Sequence, residues 1–143
     1  MRLWHKELIP YLPRQQLLGQ WRECCAIAKS IAETGTPNHV LVNKIMEYPK
    51  LHFVLYGFKI IEEMEKRGYK CIAYKFTVWT DMPWDSEKPV PGLWEQLNTE
   101  IFEDWHNDRY LKQCLMNLQE KADCGAIPAE EWKKITDRWP EMK

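Results

Sequence analysis

The sequence predicts an all-α protein, a compact single domain of three principal helices with minor helices and a long Pro/Trp-rich loop. Three observations carry this prediction. Apolar residues recur at spacings of three and four through residues 13–33 and 51–67. Glycine or proline follows each run where a helix must stop. Prolines and a glycine crowd residues 83–92, where a helix cannot form. With 143 residues, the chain 1–143 suits one domain around one core.

The first helix is expected over residues 13–33. Leu17, Leu18, Trp21, Cys24, Cys25, Ile27, Ala28 and Ile31 form its apolar stripe, Pro13 suits its first turn, and Gly35 and Pro37 close it. Asn38 is a cap for a shorter helix over 39–47 with Val40, Ile45 and Met46 inward, and Tyr48-Pro49 breaks it. A long helix follows over 51–67, with Leu51, Val54, Leu55, Phe58, Ile60, Ile61 and Met64 in helical period and Gly68 as its C′ residue. Residues 70–92 read as a connecting loop with a short extended piece at Tyr74, Phe76, Val78 and Trp79. Asn107 or Asp108 then caps a helix over 109–122, with Leu111, Leu115 and Leu118 inward. Pro128 opens the last helix, Glu130 and Glu131 favour its N-terminal dipole, and it ends near Trp139-Pro140.

Composition narrows the function classes. No apolar run approaches the roughly 20 residues that span a bilayer, and Arg2, His5, Lys6 and Glu7 stand where a signal peptide would be apolar. A cytoplasmic protein without a membrane partner is expected. Five cysteines with no Cys-x-x-Cys pair indicate reduced thiols, and the scattered His5, His52 and His106 have no metal-ligand spacing. Neither metal nor cofactor is therefore expected. The net charge of −1 hides an asymmetry: residues 1–75 hold 12 Lys/Arg against 7 Asp/Glu, and residues 76–143 hold 8 against 14. The N-terminal half is the better surface for an anion.

Within that half, residues 13–23 carry more polarity than packing requires. Gln15, Gln16, Gln20, Arg22 and Glu23 cannot all be buried without partners. Gln16, Gln20 and Glu23 are spaced by four and three, so they share one face. A carboxylate there can act as acid, base or electrostatic stabiliser, and the two amides can donate to phosphates or bases. The same spacing also describes an ordinary solvated helix face with an Arg22–Glu23 surface pair.

Arg2, the set Leu12, Gln15, Leu17, Trp21, Arg22 and Glu23, and the helix end Glu65-Lys66-Arg67-Gly68-Tyr69 together resemble the pyrimidine-dimer DNA glycosylase family, typified by a phage endonuclease V. The opening Met-Arg-Leu-Trp-His and residues 12–25 resemble a bacterial branch of it. The likeness is good over residues 1–30, fair over 39–69 and weak beyond 70. It implies a small, mainly α-helical glycosylase with abasic-site lyase activity and no metal.

The resemblance further implies a nucleophile at the chain terminus, an α-amine that attacks C1′ of the damaged nucleotide and leaves a Schiff base open to β-elimination. An α-amine suits this because its ordinary pKa of about 8 leaves a useful neutral fraction near pH 7. An ungapped register puts Arg2 at the family's threonine nucleophile. One inserted residue between Trp4 and Leu12 puts Met1 there and Arg2 at the family's arginine, and this register is preferred because it preserves the charged neighbour. The implied catalytic pair is Met1 and Glu23. The implied DNA contacts are Arg2, Gln15, Gln16, Arg22, His39, Lys66 and Arg67, with Gln16 where the family has histidine and Ala26 where it has a basic residue. Trp79, Trp84, Trp94, Trp105, Trp132 and Trp139 include candidates for a wedge or base-stacking platform. The expected partner is duplex DNA with a damaged pyrimidine or abasic site, engaged by a monomer. The alternative is a non-catalytic module that keeps the fold and binds nucleic acid or protein.

Overall fold

A computed structural model describes residues 1–84 and 100–143. Its α-helices are α1 (Arg14–Thr34), α2 (Lys50–Lys66), α3 (Tyr74–Thr80), α4 (Asp108–Asp123) and α5 (Ala129–Arg138). Three 3-10 helices, η1 (Lys6–Tyr11), η2 (Asn43–Glu47) and η3 (Pro140–Met142), complete the described secondary structure, which contains no strand. The all-α class and the three long helices match the sequence reading.

The helix ends follow from local chemistry. Gly35 and Gly68 take φ values of +82° and +80°, the left-handed conformation that lets the chain leave α1 and α2. The N-terminus of α1 is capped in trans: the Arg14 amide donates to Glu131 Oε1 of α5 at 2.6 Å. Asn107 caps α4 by accepting from the Tyr110 amide at 2.9 Å.

Three expectations are corrected. The extended piece at Tyr74–Trp79 is helix α3, because Phe76 and Thr80, four apart, are both buried as α3 packs on α1. That packing overrides the strand preference of Thr77, Val78 and Trp79. At Gly57 an added Cβ would lie 2.2 Å from Phe76 Cζ, so the missing side chain lets the Phe76 ring sit against α2. The helix expected over 39–47 is a hydrogen-bonded turn followed by η2, and Val40 points outward, 83% exposed. Finally, η1 has no counterpart in the sequence reading. The expected loop residues 85–99, with Pro89, Pro91, Gly92 and Trp94, lie outside the described residues.

One apolar core runs from Leu3 to Met142, drawing on both ends of the chain. Burying His5 and His106 in it requires partners. The His5 Nε2–H donates to the His106 carbonyl at 2.8 Å, and His106 Nδ1 accepts from the Lys6 amide at 2.9 Å. Burial, with His5 and Lys6 nearby, pushes the His106 imidazole down to about 2. No helix among the described residues is long and apolar enough to cross a membrane.

Candidate active site

The segment before η1 is extended and is held by side chains from three helices. From α1, Gln20 Oε1 accepts from the Trp4 amide at 2.7 Å and Gln20 Nε2 donates to the Arg2 carbonyl at 2.9 Å. From α2, the Tyr56 hydroxyl lies 2.6 Å from the Trp4 carbonyl and 2.9 Å from Gln20 Oε1. From α4, the Tyr110 hydroxyl donates to the Leu3 carbonyl. These bonds fix the backbone of residues 2–4 and so fix where Met1 emerges.

Gln20 is the centre of this arrangement. Its side chain is 1% exposed, and its Nε2 also donates to Glu23 Oε2 at 3.2 Å. One amide therefore holds the carbonyl next to Met1 and the carboxylate of Glu23. This corrects the expectation that Gln20 donates to phosphates or bases, since its polar atoms are already engaged inside the fold. Tyr56 backs Gln20 from below, and complete burial raises its hydroxyl well above the usual range.

Above this layer lies a recess of about 350 Å³, lined by Met1, Arg2, Gln15, Gln16 and Glu23 among others. Its size is at the small end of ligand pockets. Five of the nine site residues named from the sequence thus share one recess. Gln16 Oε1 is buried without a protein partner, so it remains an acceptor for a donor that a ligand brings. The Arg2 guanidinium sits over the Trp4 ring, 5.3 Å from its centroid.

The remaining four residues lie elsewhere. Arg22 is exposed at the rim, its Nη2 reaching back over the recess-lining Gly19. His39 braces the turn after α1, its Nδ1 accepting from the Leu41 amide at 3.3 Å. Lys66 borders a separate recess with Lys59 and Glu62. Arg67 is corrected as a DNA contact: Nε donates to Glu63 at 2.9 Å, Nη1 to the Leu12 carbonyl at 2.8 Å and Nη2 to the Pro10 carbonyl at 3.2 Å. Its guanidinium ties α2 to the carbonyl end of η1 and has almost no donor left for a ligand.

Sequence reasoning missed the contribution of α4. Asn117 and Lys121, four residues apart on one face, complete the wall opposite Glu23. The signal was the Asn117–Lys121 spacing, lost among other polar residues of an amphipathic helix. Cys24, beside Glu23 in sequence, is fully buried and burial raises its thiol well above the usual range, consistent with packing. The candidate stacking residues Trp84, Trp105 and Trp139 are core residues. Among the described residues, no three His, Cys, Asp or Glu side chains cluster as metal ligands.

No curated protein and no solved structure matches the chain. The sequence profile described as pyrimidine dimer DNA glycosylase matches residues 1–75, just over half of the chain, spanning the extended terminus, α1, α2 and the start of α3. That match covers Met1, Gln20 and Glu23, and it shows that the chain belongs to the pyrimidine dimer DNA glycosylase family.

Proposed function

We propose that the chain cleaves one glycosidic bond of a pyrimidine dimer in duplex DNA and then opens the strand at the resulting abasic site, with Met1 as nucleophile and Glu23 as its carboxylate partner. The observation that carries this reading is the single Gln20 amide bonded to both the Arg2 carbonyl and the Glu23 carboxylate, at the floor of a recess that Met1 also lines. Such a shared anchor is what pre-organisation of two reacting groups requires.

The steps balance within the chain's own residues. The Met1 amine donates its lone pair to C1′ as the glycosidic bond breaks; the base keeps the electron pair of that broken bond, takes up a proton and stays joined to its dimer partner. Glu23, as carboxylate, stabilises the positive charge that builds on the sugar. Loss of an amine proton and opening of the C1′–O4′ bond, with O4′ protonated, give the iminium. Removal of a C2′ proton then expels the 3′ phosphate, and water frees the amine by hydrolysis. Glu23 relays protons in these steps. Arg2, Gln15, Gln16, Arg22, Asn117 and Lys121 are the groups placed to hold phosphates and bases around the recess, and His39 stands on the neighbouring turn. The protein acts as a monomer in the cytoplasm, and the reaction as drawn needs no cofactor.

Glu23→Gln tests the reading on a duplex oligonucleotide with one dimer. Strand scission is expected to fall by about 10²-fold or more while affinity stays within a few fold. Undiminished scission by Glu23→Gln overturns it.

A further inference from the structure

The turn between α1 and η2 presents two apolar side chains to solvent. Val40 is 83% exposed and Leu41 51% exposed, although Val42 and Ile45 on either side of the next turn are core. The tip is braced. The amides of Val42 and Asn43 donate to the His39 carbonyl at 3.0 and 2.9 Å, and the His39 amide donates to Asn43 Oδ1 at 3.0 Å. Asn38 enters the turn at φ +55°, a left-handed conformation that asparagine tolerates. These bonds keep Val40 and Leu41 pointing away from the core.

The position of this tip singles out a role. Leu41 lines the recess that holds Met1 and Glu23, and it also lines the two adjoining grooves along α4. Those grooves carry the cations Arg2, Lys44, Arg109 and Lys121, interspersed with the carboxylates Glu23, Asp104 and Glu120. An exposed apolar point between cations suits a double helix, because cations hold phosphates while apolar side chains enter the stack. Three of the tryptophans expected in this role, Trp84, Trp105 and Trp139, are buried in the core.

We infer that Val40 and Leu41 form a wedge that enters the base stack beside the lesion, opens the step and so brings the sugar of the lesion to the recess. The inference rests on the reading that the chain acts on a lesion in duplex DNA. The wedge is the partner of the recess: one opens the duplex, the other presents Met1 and Glu23 to the exposed sugar. Because removing a nucleotide from the stack is costly, a braced wedge raises the rate only on DNA that is still stacked.

The test compares wild type with the variant Val40→Ser, which leaves the recess-lining Leu41 in place, on two substrates: an intact duplex with one dimer, and the same duplex lacking the two nucleotides opposite the dimer. On the intact duplex the variant is expected to cleave the glycosidic bond about tenfold more slowly or worse. On the gapped duplex it is expected to match wild type within about threefold, which also shows that the variant is folded. A fluorescent 2-aminopurine beside an abasic-site analogue should brighten with wild type and stay dark with the variant. Equal rates for variant and wild type on the intact duplex overturn the wedge alone, as does an equal loss on both substrates. If wild type acts on neither substrate, the functional reading itself falls and the wedge with it.

Discussion

Replacing Gln20 with leucine is expected to weaken both the fold and the site, because no other side chain can take over its bonds. The amide is 1% exposed and pairs with the Trp4 N–H, the Arg2 carbonyl, the Tyr56 hydroxyl and the Glu23 carboxylate. Leucine fills a similar volume, so the loss is polar. Tyr56 still reaches the Trp4 carbonyl, whereas the Trp4 N–H and the Arg2 carbonyl lose the Gln20 partner. At about 1–3 kcal/mol for each unpaired buried group, the cost is about 2–6 kcal/mol. That is a large share of the roughly 5–15 kcal/mol that holds a domain of this kind together. Urea unfolding measures the loss, and a destabilisation below about 1 kcal/mol refutes the reasoning. Gln20→Glu supplies the complement. It keeps an acceptor for the Trp4 amide but removes the Nε2 donor to the Arg2 carbonyl and to Glu23, so scission should fall while the Trp4 anchor persists. Undiminished scission refutes the coupling of Gln20 to Glu23.

Four further outcomes follow from other parts of the fold. Gly57→Ala should lower stability by about 1–3 kcal/mol, because the new methyl group meets the buried Phe76 ring at 2.2 Å. Gly19→Ala, which meets only Arg22 Nη2 at 4.0 Å, should instead raise stability by about 0.5–1 kcal/mol, both changes being read from urea unfolding. His106 is held near 2 in the folded chain and takes up its proton near 6.5 when unfolded. Its stabilising contribution is therefore complete above about pH 6.5 and is lost progressively as pH falls toward 2, about 2 kcal/mol of it by pH 5. His106→Asn, which keeps an acceptor for the Lys6 amide, should narrow the gap between denaturation midpoints at pH 7 and pH 5. Glu131→Ala removes the acceptor at the Arg14 amide and should lower stability by about 1 kcal/mol in urea unfolding.

The long helices were legible because their information is local. Apolar spacing within α1 and α2, together with the stop residues Gly35 and Gly68, specifies the two helices without reference to distant residues. Helix α3 was not legible, because its residues favour a strand and only packing against α1 and α2 decides otherwise. The site divides in the same way. The shared face of Gln16, Gln20 and Glu23 was readable from spacing, and the structure brings all three to the recess. What spacing could not distinguish is depth: Gln20 is buried and bonded to the terminus, while Gln15 is exposed. Arg67 was misread for a related reason, since its partners are backbone carbonyls of η1, an element the sequence did not announce. Asn117 and Lys121 meet the recess only because α4 folds back across more than ninety residues, a contact that no local pattern encodes.

The central claim is covalent chemistry at Met1, and borohydride trapping tests it most directly. Native protein with a free terminal amine is mixed with duplex DNA carrying one abasic site, reduced, digested and mapped by mass. The account predicts a single DNA adduct on the Met1 amine, absent when the terminus is acetylated. An adduct on a lysine side chain, or none from folded and unblocked protein, contradicts it.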